Sequence, residues 1–258
     1  MNKTALITGA SGGLGLEFAR LFAIDDFDLV LVARSEDRLY EIKEELESQF
    51  DINVEVCVQD LSERDAALAV YGFTSSRSIV IDALVNNAGF GDWGPFASSN
   101  WKKQYDMIQL NVTALAQLTH CYLPDMIARG EGGKILNLAS VAAFQAGPLM
   151  SVYYATKAFV LSFTEALSEE LKGTGIKVSA LCPGPTKTGF EEAANLGRSG
   201  LFSNLKTGRA GAVACYGYDK LNAGKVVAVP GLTNKLIVTA SKFAPRFLTR
   251  KVVHQIQK

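Results

Sequence analysis

The sequence has little with which to hold a metal, a disulfide or a polyanion. Its four cysteines, Cys57, Cys121, Cys182 and Cys215, lie far apart without a Cys-x-x-Cys pair, and its two histidines, His120 and His254, are isolated. Metal sites and disulfide frameworks need such ligands in clusters. No metal is therefore expected, and the thiols read as those of a reduced, cytoplasmic protein. Lys plus Arg and Asp plus Glu both number 26, a net charge of zero that excludes nucleic-acid binding by bulk electrostatics. No apolar run reaches the roughly 18 residues that span a bilayer. The first strand-like run begins at Lys3, which leaves no room for a secretory leader. What remains is a chain of 258 residues, 48% hydrophobic, that suits one large domain with a single extended core.

Within it, short β-rich runs alternate with longer stretches of helical period. Strands are expected at residues 3–8, 28–33, 54–58, 79–85, 134–138, 176–181 and 225–229. Helices are expected from Leu14, over 36–50, 66–73, 101–129 and 151–172. Ser35 stands as N-cap of the second helix, with Glu36 and Asp37 in its first turn. Such alternation predicts a doubly wound α/β fold, a seven-stranded parallel sheet with helices on both faces.

The first strand meets Gly9-Ala10-Ser11-Gly12-Gly13-Leu14-Gly15. Glycines permit a tight turn and let backbone N–H groups approach a phosphate, and the helix N-terminus adds a favourable dipole. Asn86-Asn87-Ala88-Gly89, at the end of the fourth strand, likewise has small residues where a cofactor would pass.

The chemistry is expected between Ser140 and Lys157. Tyr153 and Lys157 are one helical turn apart, with Cβ atoms about 5–6 Å from each other. A phenol titrates near 10, and an adjacent ammonium favours its ionised form, so the pair is suited to exchanging a proton with a carbonyl or alcohol oxygen. Ser140, just past a strand, can hold the same oxygen. A second pair of equal spacing, Tyr216 and Lys220, lies in a glycine-containing segment with no strand before it and reads as incidental.

Taken in this order, the glycine turn, Asn86-Asn87-Ala88-Gly89 and Tyr153-x-x-x-Lys157 resemble the short-chain dehydrogenase/reductase family over residues 3–190 or so. The resemblance implies a Rossmann fold and reversible hydride transfer between a nicotinamide cofactor and a carbonyl/alcohol pair. It assigns the proton transfer to Tyr153, assisted by Lys157 and the oxidised nicotinamide, and substrate orientation to Ser140. Asn111 would hold a water linking Lys157 to solvent; as a bare residue it reads equally as a polar group that bends the helix. Gly9, Ser11, Gly13, Leu14, Gly15, Asn87, Ala88 and Gly89 would line the cofactor, Asp60 and Leu61 flank its adenine, and Tyr153 and Lys157 meet its ribose end. Pro183, Gly184, Thr186 and Thr188 would support the nicotinamide.

An acidic residue at the carboxyl edge of the second strand would hold the ribose hydroxyls of NAD. Asp28 has the right sequence separation but begins its strand, roughly 17 Å from that edge. Arg34 stands at the edge instead. A guanidinium there suits a 2′-phosphate, with Ser11 and Ser35 as further donors, so NADP(H) is expected over NAD(H).

Phe90, Trp93, Phe144, Pro148, Leu149 and Met150 suggest an apolar substrate such as a 3-oxoacyl, steroid-like or other ketone. Residues 189–211, rich in glycine and without period, are expected to be a lid. Beyond Asp219 there is no acidic residue, while eight Lys and Arg stand among apolar ones. The tail at 232–258 is open to two readings beyond an ordinary surface helix pair, contact with anionic lipid or a cover over substrate. The family's frequent Asp-Gly-Gly-like turn, which packs a tetramer, is replaced by Pro230-Gly231-Leu232-Thr233-Asn234, so a homodimer is expected. A non-catalytic cofactor-sensing protein on the same fold is the alternative.

Overall fold

The structure is a computed structural model that describes residues 2–194 and 207–257. Seven parallel strands form one sheet: β1 (Thr4–Thr8), β2 (Asp28–Ala33), β3 (Val54–Val58), β4 (Ala83–Asn86), β5 (Gly133–Leu138), β6 (Ile176–Leu181) and, at the edge, a two-residue strand at Val227–Ala228. Their spatial order is β3-β2-β1-β4-β5-β6 and then the edge strand. The chain winds outward in one direction from β1 and then in the other from β4. The crevice at the carboxyl ends of these two strands is where such sheets bind ligands.

All five residues of β1 are buried, as expected of a strand covered on both faces. Alternate side chains feed two separate cores. Ala5, Ile7, Leu29 and Leu31 pack with Phe18 and Phe22 of α1 (Gly13–Ile24) and with Leu39, Ile42 and Leu46 of α2 (Glu36–Gln49). Leu6, Val30, Val32 and Leu84 face the other way, toward Val70 of α3 (Ala66–Ser76) and Leu118, Tyr122 and Met126 of the central helix. Fully burying each such side chain stabilises the fold by about 1.5–3 kcal/mol.

Several expectations need correction. The fourth strand starts at Ala83 rather than Ile79, because Ile79 N–H bonds back to Thr74 and Ser78 adopts φ 54°. The turn that ends α3 lies at 77–78 and is closed by Ile79, and Asp82 already bonds to Thr4 and Lys134 just before the strand begins. The last strand is shorter than 225–229 and pairs with β6 only at Val227 and Ala228. Ser35 occupies the N-cap position of α2 but makes no side-chain capping bond. The long helix over 101–129 is interrupted: α4 (Trp101–Ile108) and α5 (Leu115–Arg129) are joined by a π-helical stretch, Gln109–Ala114. Of the expected lid, Phe190–Ala193 is a short helix and Gly208–Arg209 pairs with Thr186–Lys187, while residues 195–206 lie outside the described residues. Three further helices, Ser151–Glu170, Leu232–Phe243 and Arg246–Gln257, complete the walls of the crevice.

Candidate active site

The glycine turn is built around backbone contacts that leave no room for a side chain. Gly9 has φ 65°, and a Cβ there would come within 2.8 Å of Asn87 Nδ2 and 3.0 Å of Ala88 Cα. At Gly15 a Cβ would stand 2.2 Å from the Gly9 carbonyl oxygen. The turn is tied to the loop after β4. Thr8 Oγ1 donates to Val85 O and accepts from Asn87 and Ala88 N–H, while Asn87 Nδ2 donates to Thr8 and Gly9 carbonyls. Asn87 thus holds the turn in shape. Gly12, by contrast, faces open space.

That space is a cavity of about 390 Å³. It joins Gly9, Ser11, Gly13, Leu14, Asn87, Ala88 and Gly89 with Ser140, Tyr153, Lys157, Pro183, Gly184, Thr186 and Thr188. Gly15, Arg34, Asp60, Leu61 and Asn111 do not line it. A glycine-walled trough at a helix N-terminus, continuous with a buried phenol and ammonium, fits a dinucleotide whose phosphates meet backbone N–H groups.

Ser140 follows β5, where its Oγ accepts from Ala142 N–H and lies 3.4 Å from Pro183 O. Tyr153 and Lys157 share a face of the helix Ser151–Glu170, and all three side chains are buried. Burial pushes the Tyr153 phenol above its ordinary range, and its hydrogen bond with Ser140 acts in the opposite direction. Burial also lowers Lys157, to about 8. These shifts describe the protein alone, whereas the expected acidification of the phenol calls on Lys157 together with the oxidised nicotinamide. Lys157 Nζ lies 5.8 Å from the Tyr153 ring centroid and donates to Leu138 O at 2.7 Å, so desolvation dominates both groups.

Asn111 sits behind the cavity wall, in the π-helical stretch. Its Nδ2 donates to Phe90 O and Thr156 Oγ1, and its Oδ1 accepts from Phe90 N–H. A Cβ on Gly89 would meet Asn111 Oδ1 at 2.9 Å and Lys157 Nζ at 3.4 Å. The local widening of the helix accompanies this insertion of a polar side chain among backbone groups of a neighbouring loop.

Arg34 does stand at the carboxyl edge of β2, 76% exposed at its side chain, and pairs with Asp60 at 3.6 Å. Burial alone would raise Asp60, but hydrogen bonds from Ser62 and the charge of Arg34 hold its carboxyl below the usual range. Asp28, as expected, is at the far end of the strand, where it accepts from Asn53 N–H.

The cavity's roof is drawn mainly from the segment expected as a lid and from the C-terminal tail. Ile237, Val253 and Ile256 of the last two helices line it together with Tyr154 and Phe190. Gln257 Nε2 donates to Tyr154 OH, and Trp93 Nε1 donates to Gln257 O. No motif marks these residues individually, although Phe190 lies in the expected lid and Ile237, Val253, Ile256 and Gln257 in the tail for which a cover over substrate is one reading. Among the described residues no helix is long and apolar enough to cross a membrane, and no three His, Cys, Asp or Glu form a metal cluster.

Comparison with known proteins agrees with this geometry. The family model described as short chain dehydrogenase matches residues 3–199. Sulfoacetaldehyde reductase 2 of Chromohalobacter salexigens is 37% identical over 191 residues, covering 74% of this chain and 75% of that protein. The structure of a short-chain dehydrogenase from Sphingobium yanoikuyae in complex with NADPH superposes with TM-score 0.82 at 31% identity, over 99% of this chain and 97% of that one. A short-chain dehydrogenase/reductase from Burkholderia phymatum in complex with NAD gives TM-score 0.80 at 25% identity, over 93% and 92%.

Proposed function

The chain belongs to the short-chain dehydrogenase family and is an oxidoreductase; we propose that it transfers hydride reversibly between NADP(H) and the carbonyl or alcohol of a small apolar substrate. The observation that carries this reading is the buried Ser140, Tyr153 and Lys157 set opening onto a glycine-walled trough. The nicotinamide, when bound, supplies or accepts the hydride.

In reduction, Tyr153 gives its phenolic proton to the carbonyl oxygen as the carbon becomes an alcohol. Ser140 holds that oxygen. Burial keeps the phenol protonated, and as the carbonyl oxygen gains negative charge in the reaction it becomes basic enough to take that proton. For the reverse reaction the phenol must be acidified, and a second positive charge beside it, added to Lys157, opposes the desolvation that now dominates. Lys157 also anchors the ribose, and Asn111, bonded to Phe90, supports the proton path.

The glycine turn, Asn87, Ala88 and Gly89 hold the pyrophosphate side, and Pro183, Gly184, Thr186 and Thr188 the nicotinamide side. Arg34 takes the 2′-phosphate, which favours NADP(H). Asp60 and Leu61 border the adenine, and the pairing of Asp60 with Arg34 keeps the guanidinium at this edge. Exposed Trp101, Tyr105 and Phe159 on the outer helices support a homodimer, and we place the enzyme in the cytoplasm.

A panel of aliphatic, acyl and steroid-like ketones, followed by the absorbance of NADPH and of NADH, tests this reading. Turnover of at least one apolar ketone with preference for NADPH is expected; cofactor binding without turnover of any carbonyl or alcohol would favour the sensing alternative.

A further inference from the structure

We propose that the last two helices, Leu232–Phe243 and Arg246–Gln257, form a docking surface for an anionic lipid membrane. Their inner side is already satisfied. Val238, Val253 and Gln257 are buried, and Gln257 is bonded to both Tyr154 and Trp93. The helices are therefore fixed to the body, and their outward residues are not core residues lacking a place.

Those outward residues combine large apolar groups with uncompensated cations. On the first helix Leu232, Leu236 and Phe243 recur at helical spacing along one line, and all three are exposed. Lys235 and Lys242 run beside that line, exposed but leaning to the body, with their Nζ atoms 5.6 Å from the Tyr216 ring centroid and 5.8 Å from that of Phe144. On the second helix Phe247, Leu248 and Val252 are exposed, with Lys251 on the same side, while Arg246 and Arg250 are exposed cations on the side that carries buried Val253 and Gln257 seven residues further on. Phe243, 85% exposed, and Phe247, 56% exposed, flank Ala244-Pro245 at the corner where the helices meet. Soluble surfaces rarely present so many large apolar side chains together without a partner.

Charge selects the partner. The chain is neutral overall, yet residues 232–258 carry six Lys or Arg and no Asp or Glu. A symmetric pairing of two copies through this face would set cations against cations with no acid between them. The interface of an anionic bilayer meets both needs, since phosphates take the cations and the acyl boundary takes Phe243, Phe247 and Leu236. The claim is independent of the oxidoreductase reading, and so is its readout.

Cosedimentation with large vesicles tests it, using phosphatidylglycerol mixed with phosphatidylcholine against phosphatidylcholine alone. The full chain is compared with F243S/F247S and with R246Q/R250Q/K251Q, all exposed positions whose folding is checked by circular dichroism. Partitioning to the anionic vesicles is expected to exceed that to neutral ones at least about tenfold and to fall with salt, and each variant should lose about tenfold. Equal pelleting with both vesicle types would overturn the proposal. So would wild-type binding by the phenylalanine variant, or failure to pellet by a wild-type chain whose self-association is lost in that variant.

Discussion

Tyr153 and Lys157 have the same spacing as Tyr216 and Lys220, and both pairs lie on helices. The lysine Nζ stands 5.8 Å from the ring centroid in the first pair and 5.3 Å in the second. The glycine-containing segment around Tyr216 is part of a helix, Ala210–Asn222, where Gly217 lets the backbone close on Leu181. Local geometry therefore does not distinguish the pairs; their surroundings do. Tyr153 and Lys157 are buried at the end of a cavity, with Ser140 on the phenol and Leu138 O on the ammonium. Tyr216 is a partly exposed ring with two lysines stacked on it, the second being Lys235. A proton-transfer site needs desolvation, a positioned partner and an opening to substrate, and only the first pair has all three.

Breaking the first pair should give the largest effect. Tyr153→Phe is expected to lower turnover by about 10²-fold or more while NADPH still binds, measured by steady-state rates and cofactor fluorescence. Removing the ammonium sharpens the comparison through stability. Folded Lys157, at about 8, holds its proton less tightly than an unfolded lysine at 10.5. Below pH 8 both states keep the proton and the burial cost is present. As pH rises from 8 toward 10.5 the folded state releases its proton first, and stability rises. Wild type should therefore gain about 2–3 kcal/mol relative to Lys157→Met between pH 7 and 10, measured by denaturant titration without cofactor.

Arg34→Ala tests the far end of the trough. It should weaken NADPH by about tenfold and leave NADH within about twofold, because only the former offers a phosphate to the guanidinium. The smallest effect is expected at the second pair: Tyr216→Phe and Lys220→Met should each leave turnover within about twofold, since a stacked surface cation contributes little.

Much of the site was legible because it depends on local necessities. The close approach of Gly9 and Gly15 to neighbouring backbone requires glycine, and a helical turn places Tyr153 beside Lys157 whatever else the chain does. The parallel sheet with helices on both faces followed from alternating strands and helices. What the sequence did not reveal depends on distant contacts. Asn111 could be read as a polar group that bends its helix, but nothing near it in sequence announces that Phe90 and Thr156 would engage its side chain. Gln257, 103 positions from Tyr154, carries no motif at all. The proton affinity of Tyr153 in the chain alone depends on distant contacts too: spacing gives the distance to an ammonium, whereas desolvation comes from the whole enclosing cavity.

The central claim is that the chain alone keeps Tyr153 protonated, and that the oxidised cofactor completes the site. Ultraviolet difference absorbance of tyrosinate at mildly alkaline pH, recorded as NADP⁺ is added, tests it directly. The account predicts the appearance of one tyrosinate in wild type and in Tyr216→Phe, and none in Tyr153→Phe. An unchanged spectrum in wild type, or an equal rise in Tyr153→Phe, would contradict it.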